Sequence, residues 1–410
     1  MLLIIQCEVS NVANPTEPAT LGTSLYGSVV ECRYPCNWLA IRARNLGGMV
    51  SLTLRRNDYS LTDEQGQLVD MLRDLFTEQS PIGVVRAAEP LGFDQTLWDT
   101  VKENGLITIS VPENAGGDGG GLVELVLAGI EIGRTAAPVP LLDQVVALRA
   151  FAALNAAGGN LAGFEMDAAL AGELIVSIAP ISTWELGSQL IPSGALAQAV
   201  LAFKDGSIIL MTRDSLAPQA QNEGCAPVAW WSPSDAGVTT TTVLEGDSAS
   251  AGWELVQREW RIATASSLVG LLEISSEMAR AYALERKAFG VTIAKFQAIS
   301  HQLADIHMDF VTSRNMALKA AWLTEHEPEF RPELAAMAMA QATRTALRST
   351  TKAAHVYGGM GITLEADISL FYRKVTSWAL VGGGMRRDLE EIARAIDTRA
   401  AELQLIASNR

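Results

Sequence analysis

The chain has 410 residues, of which 49% are hydrophobic and only 19% charged, and carries a formal net charge of −15. That length buries a sizeable core and predicts two or three structural units, while the acidic balance argues against nucleic acid, whose phosphates need clustered Lys and Arg. No uninterrupted apolar run approaches the roughly 20 residues that cross a bilayer, and the opening MLLIIQ lacks the basic flank and cleavage site of a secretory signal, so no membrane insertion is expected and the default address is cytoplasmic.

Residues 1–58 carry Pro, Asn, Gly and Ser without helical or strand periodicity, and read as a disordered or misassigned N-terminal extension, with Met49 as an alternative start. Three of the four cysteines, Cys7, Cys32 and Cys36, lie there, and Cys225 stands alone. This spacing makes neither a disulfide framework nor a zinc site, so no metal is expected.

The pattern changes at Thr62, which with Gln65 reads as a capping box. Behind it Leu68, Leu72, Leu75 and Phe76 recur at helical spacing. Residues 59–160 therefore read as an N-terminal helical domain, interrupted by the loop Val111–Gly117 and the pair Pro138 and Pro140. The stretch Asn155–Gly163 marks a boundary. Within 161–257 four segments have strand character: 174–178, 199–203, 207–211 and 238–244, with Asp205–Gly206 as a hairpin turn between the second and third. Beyond Arg261 the texture is helical again, with Ile299, Leu303, Ile306 and Phe310 on one stripe and Leu389, Ile392, Ile396 and Leu403 on another. Residues 258–410 read as a helical bundle. Helices, then a small β unit, then a longer bundle is an uncommon order.

Two segments carry more polar detail than packing needs. The first is Glu285-Arg286-Lys287-Ala288-Phe289-Gly290, followed by Ile293, Phe296-Gln297, His301 and Leu303-Ala304-Asp305. A guanidinium here can meet a pyrophosphate with forked, charge-assisted hydrogen bonds. The simpler alternative is a basic pair favoured by a helix C-terminus, with Phe289-Gly290 as the stop. The second segment is His355 to Glu365, with the glycine turn Gly358-Gly359-Met360-Gly361 and Tyr372-Arg373 following. By itself its glutamate reads as a solvated residue or a first-turn acid of the next helix.

Together the two segments resemble the signature of the acyl-CoA dehydrogenase family, and the order Gly105-Leu106, Val111-Pro112-Glu113, Gly116-Gly117, Glu131, Gly133-Arg134, Pro138 and Pro140 is similar to that family's N-terminal domain. The resemblance implies a mainly α fold with a small β domain: an N-terminal helical domain, a middle β-barrel and a C-terminal four-helix bundle. It implies α,β-dehydrogenation of an acyl-CoA with hydride transfer to FAD, and electron-transferring flavoprotein as the acceptor. It places Arg286, Phe289 and Gln297 on the flavin dinucleotide of a neighbouring subunit, adds Gly358, Gly359 and Gly361 to the cofactor contacts, and makes Glu365 the base for the α-proton. Such a base needs a pKa raised toward neutrality, which apolar Leu364 and Ala366 are expected to supply by desolvation. Some family members place the base earlier, where this chain has Trp260 with Glu259 beside it; Glu259 is the weaker candidate, and also reads as an acid near a helix start.

The chain departs from the family at the loop that holds the flavin ring. Where the family has Thr-Glu-Pro and then Gly-Ser, this chain has Ile178-Ala179-Pro180 with Gly187-Ser188 downstream, and Val381-Gly382-Gly383-Gly384 stands in the region of the usual Glu-Gly-Thr. Ile and Ala withdraw hydrogen-bonding groups from a flavin edge. These departures suggest one subunit of a heteromeric dehydrogenase, similar to bacterial enzymes acting on steroid side chains, in fatty-acid or steroid catabolism, with a second acyl-CoA dehydrogenase-like subunit as partner. The alternatives are a non-catalytic structural subunit of such a complex, or a flavin monooxygenase or oxidase on the same fold.

Overall fold

The computed structural model describes residues 60–408. The expected extension over 1–58, its cysteines and Met49 lie outside the described residues.

Helix α1 (Asp63–Gln79) starts at Thr62, whose Oγ1 accepts from the Gln65 amide at 3.2 Å while Gln65 Oε1 accepts from the Thr62 amide at 3.1 Å. The capping box is formed in both directions, and Leu72 and Phe76 are fully buried behind it. Short helices α2 (Ile82–Ala87) and α3 (Gln95–Glu103) follow, then the glycine-rich loop and two longer helices, α4 (Leu122–Thr135) and α5 (Leu141–Ala156). A one-turn helix, α6 (Met166–Leu170), leads into the β unit.

The strands of that unit are hydrogen-bonded in two sheets. The larger has the order β1 (Val176–Ile178), β3 (Ala199–Lys204), β4 (Ser207–Arg213), β6 (Val238–Glu245), parallel at β1–β3 and antiparallel elsewhere. The smaller pairs β2 (Gln189–Ile191) with β5 (Ala229–Trp231). Asp205 and Gly206 both have positive φ, 51° and 80°, as a two-residue primed turn requires.

The C-terminal region is α7 (Gly246–Glu285), α8 (Gln297–His326), α9 (Leu334–Val356), α10 (Asp367–Trp378) and α11 (Met385–Ser408). Helix α7 begins well before the change in texture at Arg261. Gly246 and Gly252 with Ser and Ala between them look like a loop in sequence, but Ala249 and Trp253 pack into the core and carry the helix back to Gly246. At 40 residues it is the spine of the molecule, packing on α4, α5, α8, α9 and α10.

Its crossing with α4 is set by missing side chains. A Cβ on Gly129 would lie 1.8 Å from Ser266 Oγ, and one on Gly270 would lie 1.9 Å from the Ile130 carbonyl oxygen. The two backbones touch here, so the N-terminal helices are held at a fixed distance from the bundle. Among the described residues no helix is long and apolar enough to cross a membrane.

Candidate active site

The Arg286 segment is a tight hairpin at the end of α7. Arg286 caps the helix, its amide donating to the Tyr282 carbonyl at 2.8 Å, and β7 (Lys287–Ala288) then pairs with β8 (Val291–Thr292) around Phe289 and Gly290. Both turn residues have positive φ, 51° and 81°. Glycine adopts that backbone freely, whereas Phe289 bears a left-handed strain of about 1–2 kcal/mol. Its ring is nevertheless 97% exposed, touching Phe296 edge-on at 6.2 Å. The Arg286 guanidinium is exposed and meets no carboxylate among the described residues. Gln297, also exposed, opens α8.

The glycine turn starts where α9 stops. Tyr357 caps α9 and stacks on Tyr282 with ring centroids 4.1 Å apart and planes 16° from parallel, and its hydroxyl donates to the Met278 carbonyl at 3.2 Å. Burial pushes the Tyr357 phenol above its usual value, with nearby Asp367, Tyr282 and Glu285 adding to the rise. Since Arg286 is one helical turn beyond Tyr282 and Gly358 directly follows Tyr357, the stack brings the two sequence segments to one end of the bundle. Gly358 takes φ 64°, and Gly359 has nothing within 4 Å of a would-be Cβ. Gly361 is buried: a Cβ there would strike the Ala354 carbonyl oxygen at 2.0 Å, so its role is to let the turn fold back on α9.

Glu365 follows on the same exposed loop, between Leu364 at 67% exposure and buried Ala366. The expected desolvation is not present in this chain. Its carboxyl lies below its usual value, held there first by its own backbone amide and then by the Thr363 hydroxyl. Leu364 turns outward and cannot shield it.

Glu259 is neither a free base nor a helix-start acid. It lies inside α7, buried, and accepts from Arg149 Nε at 2.8 Å and Nη2 at 3.0 Å in a two-pronged ion pair.

The two departures noted in the sequence face one another. A cleft of about 1160 Å³ is lined by Pro180, Ser182 and Thr183 on one side and Gly382–Gly384 with Trp260 on the other. Ile178 and Ala179 are fully buried. The polar groups of the loop are already engaged: the Pro180 carbonyl accepts from Gln257 Nε2 at 2.9 Å, and Thr183 Oγ1 accepts from Arg387 Nη2 at 2.8 Å. A Cβ on Gly382 would lie 2.3 Å from Trp260 Cη2, so the indole is packed on the glycine run.

Sequence reasoning did not find a second, smaller cavity, of about 100 Å³, on the other side of Trp260. It contains the buried Lys374, and Asp143, whose Oδ2 accepts from Ser193 Oγ at 2.5 Å. The surface Asp143 retains is cavity wall, and burial pushes its carboxyl up to about 6. Ser193 and the Trp260 indole oppose that rise, the indole without reaching regular hydrogen-bond geometry. These residues come from α5, the turn after β2 and α10, so no local pattern joins them. None of Arg286, Gln297, Gly358 and Glu365 lines either space.

The fit to a flavin dinucleotide is therefore divided. The exposed guanidinium and open glycines suit a pyrophosphate approaching from outside, whereas the ring loop has spent its polar groups within the protein. Among the described residues no cluster of His, Cys, Asp and Glu suits a metal ion.

Comparison with known proteins agrees with this architecture. Residues 62–159 match the acyl-CoA dehydrogenase N-terminal domain and 251–408 the C-terminal domain of the same family. The acyl-CoA dehydrogenase IpdE2 of Mycobacterium tuberculosis is 26% identical over 315 residues, covering 76% of this chain and 91% of its own length. Among solved structures, the ChsE4–ChsE5 complex from Mycobacterium tuberculosis superposes with a TM-score of 0.72 at 22% identity, over 83% of this chain and 99% of that one. A variant of the steroid ACAD Tcur3481–Tcur3483 gives a TM-score of 0.71 at 23% identity over the same shares. With two family domains matched in order over more than half of its length, on either side of a small β unit, the chain belongs to the acyl-CoA dehydrogenase family.

Proposed function

We propose that the chain is one subunit of a heteromeric, cytoplasmic acyl-CoA dehydrogenase of fatty-acid or steroid side-chain catabolism, and that it offers its Arg286 hairpin and glycine turn to FAD held mainly by a partner subunit. The observation that carries this is the Tyr282–Tyr357 stack, which joins a free guanidinium to an open glycine turn at one exposed end. Arg286 meets the pyrophosphate, Gln297 and Gly358–Gly359 allow close approach beside it, and exposed Phe289 packs on the partner. FAD supplies the acceptor for the hydride leaving the β-carbon, and electron-transferring flavoprotein takes the electrons onward. The names of the steroid ACAD and of the two-chain ChsE4–ChsE5 complex support both the heteromeric assembly and the substrate class.

In this reading Glu365 removes the α-proton. Its pKa must rise for that purpose, and the exposed Ile362 and Leu364 beside it are the surface a partner covers to exclude water. A second reading, a structural subunit whose partner performs all the chemistry, draws on the exposure and lowered pKa of Glu365 in this chain.

Co-expression with neighbouring dehydrogenase-like chains, followed by flavin absorbance and anaerobic bleaching with acyl-CoA, tests the assembly; a lone chain that holds stoichiometric FAD and turns over acyl-CoA would overturn it. In the assembled enzyme Glu365→Gln should lower kcat by roughly 10²–10⁴-fold if it is the base. Unchanged turnover selects the structural subunit.

A further inference from the structure

The small cavity is lined by a buried cation that makes no hydrogen bond and no ion pair among the described residues. Lys374 is 3% exposed, and among the described residues its ammonium meets no hydrogen-bond acceptor and no carboxylate within 4.0 Å. Burial pushes its pKa down, and the pull of Glu89 only partly offsets this. Buried ammonium groups are otherwise paired, so an unpaired one lining a cavity points to a ligand. On the same cavity wall Asp143 has one oxygen taken by Ser193, and the Trp260 indole lies near the carboxyl without a regular hydrogen bond to it. The remaining wall is mainly apolar, with Val139, Leu142, Trp378 and Val381. A dry cavity of roughly 150 Å³ holds a benzene-sized guest, so about 100 Å³ takes a short chain end and excludes a fused ring system.

We propose that this cavity receives the remote end of the acyl group, and that this end is short and oxygenated: a ketone or carboxylate oxygen accepts from Lys374, and Asp143 accepts from a hydroxyl where the chain carries one. This inference rests on the acyl-CoA reading above and narrows it to short acyl chains with a polar tip, which sets aside the steroid side chain of that reading because its remote end is a fused ring system. Trp260 forms the wall between the cavity and the large cleft, so the chain end is separated from the cleft by one indole.

The test is binding, read from tryptophan fluorescence, because Trp260 and Trp378 both line the cavity. The full chain, with its partner where assembly needs it, is titrated with pentanoyl-CoA, 4-oxopentanoyl-CoA and glutaryl-CoA. Tighter binding of one or both oxygenated esters, by tenfold or more, is expected; which of the two binds more tightly separates the ketone from the carboxylate. Lys374→Met, similar in length but uncharged, should erase the preference and leave pentanoyl-CoA binding equal or tighter. Should that variant fail to fold, Lys374→Leu, which also lacks a donor, serves the same purpose. Equal or better binding of pentanoyl-CoA by the unmodified chain overturns the inference, as does a preference that survives the loss of Lys374. The two readings fail separately: a Lys374-dependent preference without turnover of any thioester removes the dehydrogenase reading alone, whereas turnover of pentanoyl-CoA with no preference removes this one alone.

Discussion

The hairpin end of α7 and the cleft around Trp260 are built in opposite ways. At the hairpin a strained aromatic, a free guanidinium and open glycines face outward, with little of the chain covering them. At the cleft the groups that could have met a flavin ring are buried or bonded to Gln257 and Arg387, and an indole fills the space over the glycine run. The contrast teaches how exposure divides the molecule: the hairpin keeps its polar groups free at the cost of local strain, while the loop beside the cleft spends its polar groups on the protein's own side chains.

The largest expected effect tests how firmly the interior is closed. Glu259→Ala leaves Arg149 buried against only the Ser110 carbonyl and Glu325 at 3.8 Å, and should cost about 3–5 kcal/mol, seen as a lower denaturant midpoint. A midpoint within error of the parent would show the pair to be dispensable.

Asp143 gives the pH signature of the interior. Its folded pKa of about 6 lies above the unfolded value of 3.8, so the fold favours the protonated carboxyl. That contribution is complete below about pH 4 and is lost as pH rises through 6, by roughly 2–3 kcal/mol. Asp143→Asn should flatten the stability profile between pH 4 and 7 and stabilise the chain at neutral pH. An unchanged slope would place the carboxyl in water. Asp388, also raised to about 6 by burial, contributes a slope of the same sign that persists in that variant, so the slope falls without vanishing.

At the outward end, Arg286→Gln removes a charge-assisted contact of about 1.5–3 kcal/mol, so the assembled enzyme should lose FAD roughly 10–100-fold more readily on dilution while the isolated chain melts as before. Unaltered flavin retention would make the hairpin a simple helix stop. The smallest effect is at Phe289. Asn tolerates the left-handed backbone better, so Phe289→Asn should stabilise the free chain by up to about 1 kcal/mol and weaken association with the partner. Tighter association would contradict its role as a contact.

What the sequence made legible was local or repetitive. Thr62 and Gln65 are three residues apart and cap the helix through one another, and β3, β4 and β6, at six, seven and eight residues, are apolar or threonine-rich runs long enough to be seen, the first two around a clear turn. β2 and β5 have three residues each and owe their existence to pairing across about forty positions, which no short window contains. The start of α7 was hidden because packing of Ala249 and Trp253 overrides the low helix preference of its glycines. Of the site, the Arg286 and Gly358 segments were visible as motifs, but the burial of Glu259 and the exposure of Glu365 depend on Arg149 and on the outward turn of Leu364. The group formed by Asp143, Ser193 and Lys374 is assembled wholly by tertiary structure, and a lysine following an arginine in Tyr372-Arg373-Lys374 gives no sign of being the buried one.

The contact between Gly382 and the Trp260 ring has a consequence for the engineering of such chains. With the indole present, position 382 has no room for even a methyl group. A side chain can therefore be introduced at 382 only if residue 260 gives way in the same step, so the two positions must be changed together.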